Sequence, residues 1–342
     1  MAEEKTIANP ILEVSDLEVV YRTDEETVYA VNGLSLKVNA GETLGLVGET
    51  GAGKTTLALS IMKLLPERIG FIEKGTIILD GVNVTEASSD AMRDLRGEVV
   101  SMIFQDPMTS LNPVVTIGEQ IAEILELHKT NLSKKERDER VDRMLEMIGI
   151  SPDRKGEYPH QFSGGMKQRI VIAMALACEP LLLLADEPTT ALDVTIQAQV
   201  LNIMNSLKER FKTATIFITH DLGIVAQTCD KVAVMYSGEI VEYGDLKHIF
   251  AEDPFHHPYT IGLFNSIPNI KSDAPRLSPI NGMMPDPTIQ FKGCRFAERC
   301  AHCTERCENE KPPFVDRDGH QVRCFLFSKD SDMPNETEVQ AQ

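Results

Sequence analysis

No run of about 18 apolar residues occurs in the chain, so no bilayer-spanning helix is expected. The longest dense apolar stretch, Leu181 to Ala185, is only strand-sized. Basic charge is scarce as well. The 34 Lys and Arg stand against 52 Asp and Glu, a formal net charge of −18. A duplex nucleic-acid binder needs a cationic footprint, and this balance argues against that class. No internal repeat and no low-complexity tract are found. The opening MAEEKTIANP is polar and acidic and lacks an apolar segment. No signal peptide is read there, and a cytoplasmic location is expected.

What is present is a globular composition: 342 residues, 42% hydrophobic and 25% charged. That length suits two domains, or one large domain with an appendage. Leu34, Leu36 and Val38 alternate with polar residues as a strand, and Thr43 to Val47 reads as another. A helical pattern runs from Thr55 to Leu65, Thr76 to Leu79 is a strand, and Asp80-Gly81 is a hairpin-type turn. Residues 106–165 look helical, with Ser133 and Glu136 spaced as a capping box and Gly149 as a stop. Strand and helix then alternate: Leu181–Ala185, a helix over 194–210, Thr215–Thr219 and Val232–Tyr236. After Asp253 periodicity fades, and 10 of the 18 prolines lie in 254–342. The expected division is 1–250 and a loop-rich appendage over 251–342, its last dozen residues frayed.

Gly48-Glu49-Thr50-Gly51-Ala52-Gly53-Lys54-Thr55 fits G-x-x-x-x-G-K-[ST] between a strand and a helix. Such a loop turns backbone N–H groups toward a polyphosphate. Lys54 reaches the terminal phosphates and Thr55 ligates Mg²⁺, with Thr56 beside it. The loop alone specifies only a nucleoside triphosphate.

Leu182 to Ala185 leads into Asp186 and Glu187. A strand ending beside the phosphate loop supplies Mg²⁺ with an acidic partner, which suits Asp186. Glu187 is then placed to polarise a water for attack on the γ-phosphate. Ser163-Gly164-Gly165 opens an apolar helix and presents free N–H groups, a second anion site. One nucleotide end is already taken by the loop, so this second site makes most sense acting in trans across a dimer. His220 after a strand, and Gln105 after Val99–Phe104, carry little information alone.

Seven cysteines remain. Cys178 and Cys229 lie singly in apolar stretches, while Cys294, Cys300, Cys303, Cys307 and Cys324 fall within 31 residues. In a cytosolic chain such clustering more often means metal than disulfides. Four thiolates suit an iron–sulfur cluster or tetrahedral zinc equally. Cys303 complicates the count, and His302 and His320 are further possible ligands.

Taken in order, these residues resemble the ATP-binding-cassette ATPases. Residues 48–55 match Walker A, Gln105 the Q-loop, 162–166 the signature, 182–186 Walker B, Glu187 the catalytic glutamate, Ala191-Leu192-Asp193 the D-loop and His220 the switch histidine. The signature reads FSGGM rather than LSGGQ, with Ser163, Gly164 and Gly165 kept. Tyr21 is the candidate for the aromatic residue that stacks on adenine. The resemblance implies an α/β P-loop ATPase core of RecA-like type, with an antiparallel β subdomain and a helical subdomain at about 106–165.

It also implies a head-to-tail dimer closing around two ATPs. Ser163 and Gly165 of one subunit contact the γ-phosphate on the other's Lys54. His220 holds that phosphate, Gln105 senses Mg²⁺ and the attacking water, and hydrolysis at Glu187 resets the closed state. Residues Phe104 to Pro107, Ser110 to Pro113, Phe162 to Met166 and His257 to Thr260 resemble the oligopeptide/dipeptide importer ATPases in particular. The tail resembles that group's C-terminal extension, which implies a [4Fe–4S] cluster on Cys294, Cys300, Cys307 and Cys324, with zinc as the alternative. The implied partners are two membrane permeases, a second ATPase, identical or paralogous, and an extracytoplasmic binding protein. The implied place is the cytoplasmic face of the membrane, with residues 106–113 toward a permease. Alternatives are a soluble cassette acting on nucleic acid or ribosomes, an exporter cassette, and import of nickel or sugars.

Overall fold

Leu34, Leu36 and Val38 are buried while Ser35 and Lys37 are exposed, the two-residue period of a half-buried strand. The computed structural model extends that strand back to Thr27. It describes residues 10–190, 192–266 and 280–328, apart from the side chains of Pro107 and Met108. The expected lack of a leader, the frayed terminus and Ala191 of the D-loop lie outside the described residues.

Strands β1 (Leu12–Arg22), β2 (Thr27–Val38), β4 (Gly70–Leu79) and β5 (Val82–Asn83) form an antiparallel sheet in the order β2-β1-β4-β5. Asp80 and Gly81 both take positive φ (46° and 78°), the geometry a two-residue hairpin turn requires. The second sheet contains β3 (Thr43–Val47), β6 (Val100–Ile103), β7 (Leu182–Asp186), β8 (Ala214–Thr219), β9 (Lys231–Tyr236), β10 (Glu239–Asp245), β11 (Phe314–Arg317) and β12 (His320–Arg323). Its order is β11-β12-β10-β9-β3-β8-β7-β6. From β9 to β6 the neighbours are parallel; β10, β12 and β11 add antiparallel ladders at one edge.

Strand β7 is buried on both sides, which is why it reads as an unbroken apolar run. Leu182 and Leu184 pack toward the antiparallel sheet, Leu183 and Ala185 toward the helices. Those helices include α6 (Gly164–Leu176) and α7 (Val194–Phe211), whereas α1 (Lys54–Ile61) packs on the side of the antiparallel sheet. The segment over 106–165 contains α3 (Pro107–Ser110), α4 (Ile117–His128) and α5 (Lys134–Met147). The Ser133–Glu136 capping box forms: Glu136 N donates to Ser133 Oγ at 3.3 Å, and Ser133 N to Glu136 Oε2 at 2.8 Å. Gly149 follows at φ 72°.

The chain after 250 does not stand apart. Hairpin β11–β12 continues the core sheet, with Glu242 opposite Val322 and Tyr243 opposite Gln321. Helix α10 (Pro258–Asn265) packs into the helical-side core through Tyr259. Sequence periodicity could not show this, because two four-residue strands lie below its reach.

Candidate functional site

Strand β3 delivers the phosphate loop to the middle of the parallel sheet. A side chain at Gly48 (φ 155°) would run into the carbonyl of Met235, and one at Gly53 (φ 98°) into the carbonyl of Ala30. The loop closes on itself: Lys54 Nζ donates to Gly48 O at 2.8 Å and Glu49 O at 3.0 Å. Burial pushes the Lys54 ammonium below its ordinary range, against the pull of Glu187 and Asp186.

Parallel pairing sets the end of β7 beside this loop. Thr55 Oγ1 donates to Asp186 Oδ2 at 2.7 Å, and burial raises the Asp186 carboxyl above its usual range. A hydroxyl and a carboxylate side by side are a hard-oxygen set that fits Mg²⁺. Glu187 adopts φ 47°, left-handed backbone that a non-glycine residue holds only under constraint. Its Oε1 lies 3.1 Å from His220 Nδ1, at the end of β8. Its Oε2 accepts from Thr190 Oγ1 at 3.0 Å and Gln105 Nε2 at 3.3 Å. Burial pushes the Glu187 carboxyl up, but these hydrogen bonds outweigh it and hold the group below its usual range. Gln105 and His220 mean little as isolated letters; three parallel strand ends bring them to one carboxylate.

Lys54, Thr55, Gln105, Asp186 and Glu187 share a cleft of about 500 Å³, the size of a nucleotide pocket, while Thr190 and His220 do not line it. It runs from Tyr21 and Tyr29 across residues 50–56 to Gln105, Asp186 and Glu187. Tyr21 Oη donates to Thr56 Oγ1 at 3.3 Å. Gly48 and Glu49 do not line it. The Glu49 carboxylate turns away to Arg299 at 2.9 Å, which the sequence reading did not foresee.

Ser163, Gly164, Gly165 and Asp193 lie off this cleft. Ser163 is the N-cap of α6, yet its side chain makes no capping hydrogen bond. Gly164 is exposed with open space where a Cβ would go. Gly165 is different: the side chain of Ile196 from α7 occupies its Cβ position, so this glycine serves helix packing. Asp193 caps α7, its Oδ1 accepting from Ile196 N at 3.0 Å.

Cys294, Cys300, Cys307 and Cys324 line one small cavity, with His302 at its wall. None of the seven cysteines is in a disulfide. Burial pushes the thiols of Cys294 and Cys324 up to about 12 and Cys300 to about 11, because the cavity disfavours their charged forms. Cys303 is not part of the lining. His320 is not either. Its Nε2 lies 2.8 Å from Glu242 Oε1, so the reading of His320 as a ligand beside the cysteines is corrected. Glu242 also holds His256 Nδ1 at 2.6 Å and accepts from His257 N at 2.7 Å. Burial raises this carboxyl, but hydrogen bonds from His256 and His320 bring it down to about 2.

Comparison with known proteins follows the same division. The ABC transporter family profile matches residues 31–190, and that of the oligopeptide/dipeptide transporter C-terminal region matches 241–307. The oligopeptide transport ATP-binding protein AppD of Bacillus subtilis is 47% identical, over 94% of this chain and 98% of its own length. OppD of Salmonella typhimurium is 48% identical over 93% and 94%. Among solved structures, the ATP-binding cassette MJ0796 bound to ADP and Pi, a dimer, superposes with TM-score 0.61 at 26% identity, covering 69% of this chain and 98% of its own. CbiO1 of Clostridium perfringens superposes with TM-score 0.62 at 29% identity, covering 71% and 91%. The chain belongs to the ABC transporter ATPases, in the group that carries the oligopeptide/dipeptide transporter C-terminal region.

Proposed function

We propose that this chain is the ATP-hydrolysing subunit that drives import of oligopeptides or dipeptides through partner permeases. The observation that carries the reading is the convergence of Gln105, Thr190 and His220 on Glu187, one residue from the Thr55–Asp186 pair. Thr55, Asp186 and Gln105 would hold Mg²⁺, which neutralises charge on the phosphates when bound. Lys54, set by its two loop carbonyls, has a third N–H donor for the terminal phosphates. Glu187, kept ionised, accepts the proton of the attacking water. His220 and Gln105 fix that carboxylate and the γ-phosphate.

A second ATPase completes the site. The unengaged Ser163 side chain and the open space at Gly164 support a partner nucleotide at the start of α6. Among the described residues no helix is long and apolar enough to cross a membrane, so translocation depends on permeases. Exposed Phe104 and a groove between Ser110, Ile124, His128 and Met174 support docking of a membrane subunit beside residues 106–113. A binding protein outside the membrane delivers the peptide.

Cys294, Cys300, Cys307 and Cys324 would carry a [4Fe–4S] cluster. A single zinc holds sulfurs at about 2.3 Å, hence roughly 3.8 Å apart. Among the described residues the one trio of ligating atoms within 4.8 Å is Glu242, His256 and His320, not three cysteines. The wider thiol spacing favours the larger cluster.

Purification from solubilised membranes tests the transport reading. Recovery with two multispanning proteins is the expected result; recovery only with ribosomes or DNA contradicts it.

A further inference from the structure

The first residue after Gly48 of the phosphate loop is held from outside the cassette. Arg299 Nη1 and Nη2 grip the two oxygens of Glu49 at 2.9 Å and 3.2 Å, a bidentate pair. The Arg299 side chain is only 6% exposed. Its remaining donors are spent on Asn281 O at 2.9 Å, Ile280 O at 3.4 Å and Tyr236 Oη at 3.3 Å. A second hold comes from α10, where Tyr259 Oη accepts from Glu49 N at 2.9 Å. Tyr259 is itself fixed against Tyr236 and Phe296, ring centroids 4.6 Å and 5.6 Å away. The extension touches the other end of the cleft too. Met284 to Pro287 line it, and Pro287 O accepts from Tyr29 N at 2.8 Å.

We infer that the C-terminal extension is a working part of the ATP site, with Arg299 and Tyr259 as positioning residues that set the phosphate loop through Glu49. The route is short. Gly48 O and Glu49 O are the acceptors of Lys54 Nζ, so a displaced Glu49 moves the lysine that meets the phosphates. Arg299 also precedes Cys300 in the chain, one peptide bond from the cysteine cavity. The arginine has no equivalent substitute, because lysine cannot form a two-pronged pair.

The inference rests on the ATPase reading, and the test separates the two. The full chain is assayed for binding of a fluorescent ATP analogue and for steady-state hydrolysis. Arg299→Met raises KM for ATP by about tenfold or more while kcat stays within about threefold, the mark of lost ground-state binding. Arg299→Lys recovers part of that loss. Tyr259→Phe, which deletes one hydroxyl and keeps the ring, raises KM by about threefold. Glu49→Gln combined with Arg299→Met costs less than the two single effects together, because both changes act on one contact. Unchanged ATP affinity in folded Arg299→Met and Tyr259→Phe overturns the inference. Lys54→Ala and Glu187→Gln report on the ATPase reading itself: normal hydrolysis in both would remove it, whatever Arg299 does.

Discussion

At the residue scale, single side chains do more than their motif letters say. Lys54 is the direct phosphate ligand in this account, and charge-assisted hydrogen bonds to it are lost outright in Lys54→Ala. ATP affinity should fall at least about tenfold, measured by titration of a fluorescent analogue; unchanged affinity would remove Lys54 from the site. Glu242 carries a different prediction. Its carboxyl lies at about 2 against an ordinary 4.5, so its stabilising contribution is complete above about 4.5 and is lost as pH falls toward 2. That difference corresponds to about 3 kcal/mol for a fully buried group. Glu242→Gln should be less stable at pH 7, and its denaturant midpoints should show a shallower loss between pH 4.5 and 2 than those of the wild-type protein. Equal slopes would contradict the pairing of Glu242 with His256 and His320.

At the element scale, the strands and helices follow from local pattern, and the site follows from where strands end. The phosphate loop, the apolar run into Asp186-Glu187 and the cap at Ser133 are legible because each is a contiguous signal. Gln105 and His220 acquire meaning only when β6, β7 and β8 lie parallel. The Arg299–Glu49 pair spans 250 residues, and nothing local in either segment announces it. Helix α6 shows the same limit within three residues, because Gly164 and Gly165 look alike in sequence but have opposite surroundings. Gly165→Ala forces a methyl into Ile196 and should destabilise the fold by about 1–3 kcal/mol. Gly164→Ala enters open space and should leave thermal stability intact while lowering ATP hydrolysis, the outcome expected from the proposed trans site for the partner's nucleotide. A Gly164→Ala protein with full hydrolysis would count against the trans site.

At the scale of the whole molecule, the sheet unites what the sequence divides. Hairpin β11–β12 extends the cassette's own sheet, and the cysteine cavity, lined by residues of 257–326, is joined to the phosphate loop through Arg299, the neighbour of Cys300. Anaerobically purified protein should be brown, absorb near roughly 400 nm and carry about four irons per chain. Cys303→Ser should leave that iron in place. Colourless protein with one zinc would overturn the cluster.

No helix among the described residues is long and apolar enough to cross a membrane, which fits a subunit that works with membrane permeases. The most direct measurement is on Glu187→Gln with ATP, followed by sedimentation velocity and phosphate release. The account predicts that this variant binds ATP, releases no phosphate and sediments as an ATP-locked dimer. Normal phosphate release from Glu187→Gln, or a monomer at saturating ATP, would contradict it.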